Sequence, residues 1–272
     1  MAAGAAVAAT ASVAPFAAGT ADAAPGRSGG RPKPTIVLVH GAWADGSSWS
    51  EVLPRLLRDG YTVKAPPNPL RSLAGDAASI ADFLSTVPGP VVLVGHSYGG
   101  AVITNAATRN PNVKALVFIN AFVPEQGENV LQLTAAQPGS ALAVADPTTV
   151  FSFVPYPNGP AGDVDLYLLP AVFANSFASD LPAHTSAVLG AAQRPLSFAA
   201  GGAASGTPAW KTIPSWYLVG TADKVIPPAE QRIMAKRAGA RTFEVKASHL
   251  SMISHPEVAT DVIEKAAGSV AG

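Results

Sequence analysis

The stretch Val91-Val92-Leu93-Val94-Gly95-His96-Ser97-Tyr98-Gly99-Gly100 decides how this chain is read. Four apolar, mostly β-branched residues make a buried strand. A G-x-S-x-G pentapeptide follows, and then a helix-compatible run to about Arg109, which Asn110-Pro111 ends. Strand, sharp turn and helix in that order form a nucleophile elbow. The turn has to be tight and strained so that the serine hydroxyl stands clear of the sheet. Gly95 and Gly99 lack the Cβ atoms that would clash where strand and helix approach each other. A bare G-x-S-x-G also arises as a Gly-rich turn with an incidental serine. Here both flanks match, and Ser97 is the candidate nucleophile.

A serine nucleophile needs a histidine base and an acid, and on such an elbow they follow in the order acid, then histidine. The downstream histidines are His184, His249 and His255. Thr242-Phe243-Glu244-Val245-Lys246-Ala247 alternates like a strand and leads straight to His249. A base just past a strand sits at the carboxyl edge of a parallel sheet, where such folds place their sites. His255, followed by Pro256, reads better as the start of the last helix, and His184 as a surface or lid residue. For the acid, Trp216-Tyr217-Leu218-Val219 runs into Gly220-Thr221-Ala222-Asp223 ahead of Pro227-Pro228. Asp223 therefore follows a strand and precedes a Pro-started helix, a position that also suits a turn or helix-capping aspartate. Asp146, Asp163, Asp165 and Asp180 lie in a segment without clear strands and compete poorly.

The remaining requirement is an oxyanion hole. The residue after the nucleophile, Tyr98, offers one backbone N–H. The second is expected after the strand Thr35-Ile36-Val37-Leu38-Val39, which opens into His40-Gly41-Ala42-Trp43, with Ala42 as the candidate donor. His40 precedes the serine and reads as an organiser of this loop rather than as a base.

Val-His-Gly-Ala-Trp at 39–43, Val-Gly-His-Ser-Tyr-Gly-Gly at 94–100, Gly-Thr-Ala-Asp at 220–223 and Ser-His-Leu-Ser-Met-Ile-Ser-His-Pro at 248–256 together resemble the α/β-hydrolase superfamily. Within it the chain resembles the branch of plant methyl esterases, hydroxynitrile lyases and bacterial carboxylesterases, some of which act on pyrethroid esters. The resemblance runs from Thr35 to the last helix and is weakest in the middle. It implies a mostly parallel central sheet with helices on both faces and cofactor-free serine chemistry. The lyases carry a lysine directly after the catalytic histidine and a threonine in the oxyanion loop, where this chain has Leu250 and Gly41. Both departures, with Met252, match the esterase side. The aspartate nucleophile of haloalkane dehalogenases and epoxide hydrolases is replaced by Ser97. A ligand-binding, receptor-like hydrolase fold stays open as a different functional class, because such receptors can keep a whole triad.

From Phe122 to about Ile213 the strand-helix rhythm is lost, and the segment is rich in Pro, Ala and aromatics. In the superfamily this position, after a strand ending near Ala121, resembles a helical cap folded over the site. Phe151, Phe153, Tyr156, Tyr167, Phe173, Phe177 and Phe198 either line an apolar pocket or form the cap's own core. Trp43, Trp210, Leu250 and Met252 are candidate pocket residues.

Length and composition agree with one domain over 35–272. Lys+Arg and Asp+Glu both total 18, so there is no basic field to collect nucleic acid. The five histidines show no metal-ligand spacing, and without cysteine no thiolate site or disulfide exists. Residues 1–25 are Ala-rich, nearly uncharged and contain Ala21-Asp22-Ala23, an A-x-A cleavage pattern; 26–34 reads as a flexible linker. Export as a secreted protein is the expectation, although no Lys or Arg precedes the apolar run. The alternative is an Ala-rich tail on a cytoplasmic protein. No later run is long and apolar enough to span a membrane. The sequence thus points to a secreted serine esterase acting on small to medium carboxylic esters, with a hydroxynitrile lyase-like enzyme or a receptor as alternatives.

Overall fold

The strand that leads into Ser97, β3 (Val91–His96), lies in the interior of a six-stranded sheet, and all six of its residues are buried. The computed structural model describes residues 33–271, so the proposed signal segment lies outside the described residues. The sheet runs β2 (Val63–Lys64), β1 (Thr35–Val39), β3, β4 (Val113–Ile119), β8 (Ser215–Gly220) and β9 (Arg241–Val245), and every neighbouring pair is parallel. A parallel sheet covered on both faces needs apolar side chains pointing both ways. This is why β1, β3 and β8 read as continuous apolar runs instead of alternating ones. At the sheet's edge β2 pairs only at Val63–Lys64, before Pro66-Pro67 removes two ladder donors.

Helices α1 (Leu53–Arg58), α2 (Leu73–Ser85) and α3 (Tyr98–Ala106) follow their strands in sequence. α3 packs on β1, β3 and α2, while the C-terminal helix Pro256–Ala271 packs on β3, β4, β8 and α1. Eight of the nine α3 residues are buried, as expected for a helix apolar nearly all round. The register matters most for function. Val39 lies opposite Gly95, His96 opposite Ile119, Ile119 opposite Leu218 and Gly220 opposite Val245. The strands therefore end level, and the loops at 40–43, 97, 120, 223 and 249 leave the sheet along one edge.

The excursion between β4 and β8 is helical only in part, which corrects the expectation of a helical cap. It begins with a short helix, α4 (Val130–Ala135), capped by Asn129 and Gln132. Then β5 (Phe151–Pro155), β6 (Val164–Leu168) and β7 (Leu196–Ser197) form a separate antiparallel sheet, and short helical turns fill the remainder. Pro157-Asn158-Gly159-Pro160, between two alternating runs of five residues, is a hairpin signal that the aromatic content masks. Among the described residues no helix is long and apolar enough to cross a membrane.

Candidate active site

Ser97 sits at the end of β3 and start of α3 with φ +53° and ψ −125°, a backbone region L-residues rarely occupy. Such a conformation costs about 1–3 kcal/mol and persists only where its surroundings over-determine it. They do so here. The Ser97 carbonyl accepts from Gly100 N–H at 2.9 Å and Phe122 N–H at 3.1 Å. A Cβ on Gly95 would lie 2.7 Å from the Gly99 carbonyl oxygen, and one on Gly99 would lie 2.5 Å from that of Val39. The two glycines thus permit the strand-helix approach that presents the hydroxyl. The Tyr98 side chain turns away and donates its O–H to Asp76 Oδ2 at 2.7 Å. Burial raises the pKa of both groups, and the neighbouring Asp76 charge adds to the rise at Tyr98.

The structure brings Ser97, His249 and Asp223 together in one line. Ser97 Oγ lies 2.8 Å from His249 Nε2, and His249 Nδ1 lies 2.8 Å from Asp223 Oδ2. A carboxylate can only accept, so Nδ1 carries the imidazole proton and leaves Nε2 free to accept from the serine hydroxyl. All three residues are buried. Besides His249, Asp223 accepts from Val225 N–H (2.8 Å), Ile226 N–H (3.1 Å), Asn120 Nδ2 (3.0 Å) and Gln231 Nε2 (2.8 Å). Five donors on one buried carboxylate fix its orientation. Asp223 fills its turn-capping role through the two backbone bonds while facing His249 with its other oxygen.

Asn120 is a site residue that the sequence reading missed. At the end of β4, with φ +43°, it joins the acid to the base loop, since Nδ2 also reaches the Ser248 carbonyl at 3.1 Å and Oδ1 accepts from Ser251. A Cβ on Gly220 would lie 2.1 Å from this amide nitrogen, so glycine there makes room for it. His96 is a second. Its Nε2 donates to the His249 carbonyl at 2.9 Å, and its ring lies 4.8 Å from that of His249. Burial, then the nearby His249, keeps the His96 pKa well below the ordinary histidine range. From the cap, Asp180 accepts both the N–H and the hydroxyl of Ser248, and Phe177 packs its ring 4.9 Å from that of His249. Only position after a strand end could have flagged Asn120, and nothing in the sequence marks Asp180.

Ala42 and Tyr98 both line the cavity at Ser97, and among the described residues no acceptor is found for either backbone N–H. His40 organises this loop, as expected. Its Nδ1 donates to Gly41 O, Nε2 accepts from Asn68 N–H at 3.0 Å, and its carbonyl accepts from Asn68 Nδ2. Burial lowers its pKa, consistent with a neutral ring. Trp43, at φ +56°, donates its backbone N–H to Arg194 O and its indole N–H to Leu166 O, both in the cap.

Above Ser97 lies a cavity of about 280 Å³. Trp43, Phe122, Phe151, Phe153 and Phe198 line it, whereas Phe173 and Phe177 pack in the core. The two readings of the cap aromatics thus divide between residues. Three of the candidate pocket residues do not line this cavity. Met252 is fully buried away from the cavity, and Trp210 is held by its indole N–H on the Pro124 carbonyl at 3.0 Å. Leu250 lines a separate cavity of about 20 Å³ that shares Trp43 with the larger one. Large apolar residues near a motif in sequence are as easily core as pocket, and these three are core.

A hydroxyl, an imidazole and a fixed carboxylate in line, beside two unspent N–H groups, can carry out acyl transfer. Among curated proteins the chain is similar to a carbendazim-hydrolysing esterase of Nocardioides sp. (strain SG-4G), 36% identical over 36% of this chain and 46% of that one. It is also similar to a pyrethroid hydrolase of Sphingobium wenxiniae, 32% identical over 34% of this chain and 37% of that one. The matched segments span less than half of these relatives. Among solved structures, polyneuridine aldehyde esterase superposes with a TM-score of 0.72 over 86% of this chain and 99% of that one; at 20% identity the likeness speaks for the fold alone. The profile of the Alpha/beta hydrolase family matches residues 36–262, most of the sheet and the whole line from elbow to base. The chain belongs to that family.

Proposed function

We propose that the chain is a serine carboxylesterase of the EC 3.1.1 type, a single hydrolase domain over 35–272 that acts on small to medium esters and is exported. The observation that carries this reading is the unbroken line from Ser97 Oγ through His249 to Asp223, with 2.8 Å at each step. His249 Nε2 takes the Ser97 proton as Oγ bonds to the ester carbonyl carbon. The carbonyl oxygen becomes an oxyanion facing the Ala42 and Tyr98 N–H groups, while Asp223 stabilises the imidazolium. The bond from carbon to alcohol oxygen then breaks, and His249 protonates the leaving alcohol. Water attacks the acyl carbon and gives a proton to His249; the carbon–Oγ bond then breaks, His249 returns that proton to Ser97 Oγ, and the acid leaves. Each proton in this route is carried by the chain's own groups or by water.

Hydrolysis is proposed over cyanohydrin cleavage on two residues. Leu250, where the lyases carry lysine, is buried and apolar. A Cβ at Gly41, where they carry threonine, would lie 2.6 Å from Ser97 Cβ. The test is a panel of aryl and methyl esters, with a phosphonate probe to label the nucleophile. Turnover, with the label mapped to Ser97, is expected. A folded protein that hydrolyses none of them and takes no label overturns the reading in favour of a receptor-like fold.

A further inference from the structure

The wall of the cavity has almost nothing polar left to offer a ligand. Apart from Ser97, its hydroxyl-bearing residues are Tyr98 and Thr134. The Tyr98 O–H is given to Asp76, and the Thr134 hydroxyl donates to the Val130 carbonyl at 2.8 Å. No charged side chain lines the cavity among the described residues; what faces it is Trp43, Phe122, Leu131, Phe151, Phe153 and Phe198 with smaller apolar neighbours. Away from the reacting carbonyl, a ligand therefore finds no free side-chain hydroxyl and no counter-charge among the described residues.

We infer that this site selects neutral esters whose enclosed half is wholly apolar, and rejects esters bearing a second polar group on that half. The inference deepens the esterase reading and rests on it. An enclosed hydroxyl loses its water without gaining a side-chain partner, and a carboxylate without a counter-charge loses far more. Discrimination of this kind is built from missing partners instead of steric exclusion, so it holds between analogues of nearly equal size. Phe153 and Phe198, both on the wall and both partly exposed, carry the apolar surface out to the rim.

The test compares matched esters in two series. Hexanoate, 6-hydroxyhexanoate and adipate monoesters of one alcohol probe the acyl half. Benzyl, 4-hydroxymethylbenzyl and 4-carboxybenzyl acetates probe the alcohol half. In the series whose variable half enters the cavity, kcat/KM is expected to fall about 10-fold for the hydroxyl and 100-fold or more for the carboxylate. Both series flat to within about threefold would overturn the inference while leaving the esterase reading intact. Binding of the same compounds to Ser97→Ala, measured by calorimetry, reads the cavity without turnover. If no ester is hydrolysed, a neutral-over-charged preference in Kd still upholds the inference, and equal affinities overturn it. Phe153→Arg, a change at a partly exposed β5 position, is expected to shrink the carboxylate penalty by about tenfold.

Discussion

The edge of the parallel sheet and the cap above it enclose the same cavity with opposite materials. At the edge, one carboxylate accepts from five donors and two histidines brace the loops around Ser97 and His249. The cap presents apolar side chains and one hydroxyl that is already engaged. Polar chemistry needs positions fixed to fractions of an ångström, and strand ends in register supply them. Apolar selection needs only volume and the absence of partners, which a small irregular layer provides. Substitutions at the edge should therefore act on kcat, and substitutions in the cap on which ester is preferred.

The sharpest way to break that contrast is Ser97→Ala, expected to lower kcat by about 10⁶-fold with the thermal midpoint little changed. A residual rate near wild type would move the nucleophile elsewhere. Asp223→Asn keeps the shape but disturbs the imidazole tautomer, and a loss of about 10⁴-fold in kcat at unchanged KM is expected. Asn120→Ala should cost about 10–100-fold in kcat through loss of alignment; an unaltered kcat would show that the other donors suffice for Asp223. Acid should also strike the edge first. His40 and His96 have folded pKa values lowered by burial below their ordinary 6.5, so the unfolded chain binds protons more readily. Their contribution to stability is complete above about pH 6.5 and declines as the pH falls towards the lowered folded values. Thermal midpoints across that range should fall on acidification, and a flat profile would contradict it. The smallest effect belongs to Phe198→Ala at the cap rim, expected to shift stability by no more than about 0.5 kcal/mol while changing the ranking of esters a few-fold.

The sequence made the edge legible because each of its features has a local cause. β-Branched runs mark buried strands, glycines mark the close approach at the elbow, and Asp223 and His249 each follow a strand. The cap resisted reading because Phe151-Ser152-Phe153-Val154-Pro155 is too short for its alternation to outweigh an aromatic-rich setting. Whether Phe173 packs inward or Phe153 faces a ligand depends on tertiary neighbours alone. Asn120 escaped for a related reason. A polar residue at a strand end looks like any turn former until the chain brings Gly220 and Ser248 to it.

The tethers at Trp43 and Ser248 limit how freely this protein could exchange parts. Two cap carbonyls, of Arg194 and Leu166, steady the loop at Trp43, next to the proposed Ala42 donor, and the cap's Asp180 grips the residue before His249. A chimera that received a foreign cap between 122 and 213 would gain a new appetite and lose three moorings of its reaction centre. Grafts that reproduce those three contacts should keep their turnover, whereas grafts chosen for pocket shape alone should bind their new ligand and work slowly upon it.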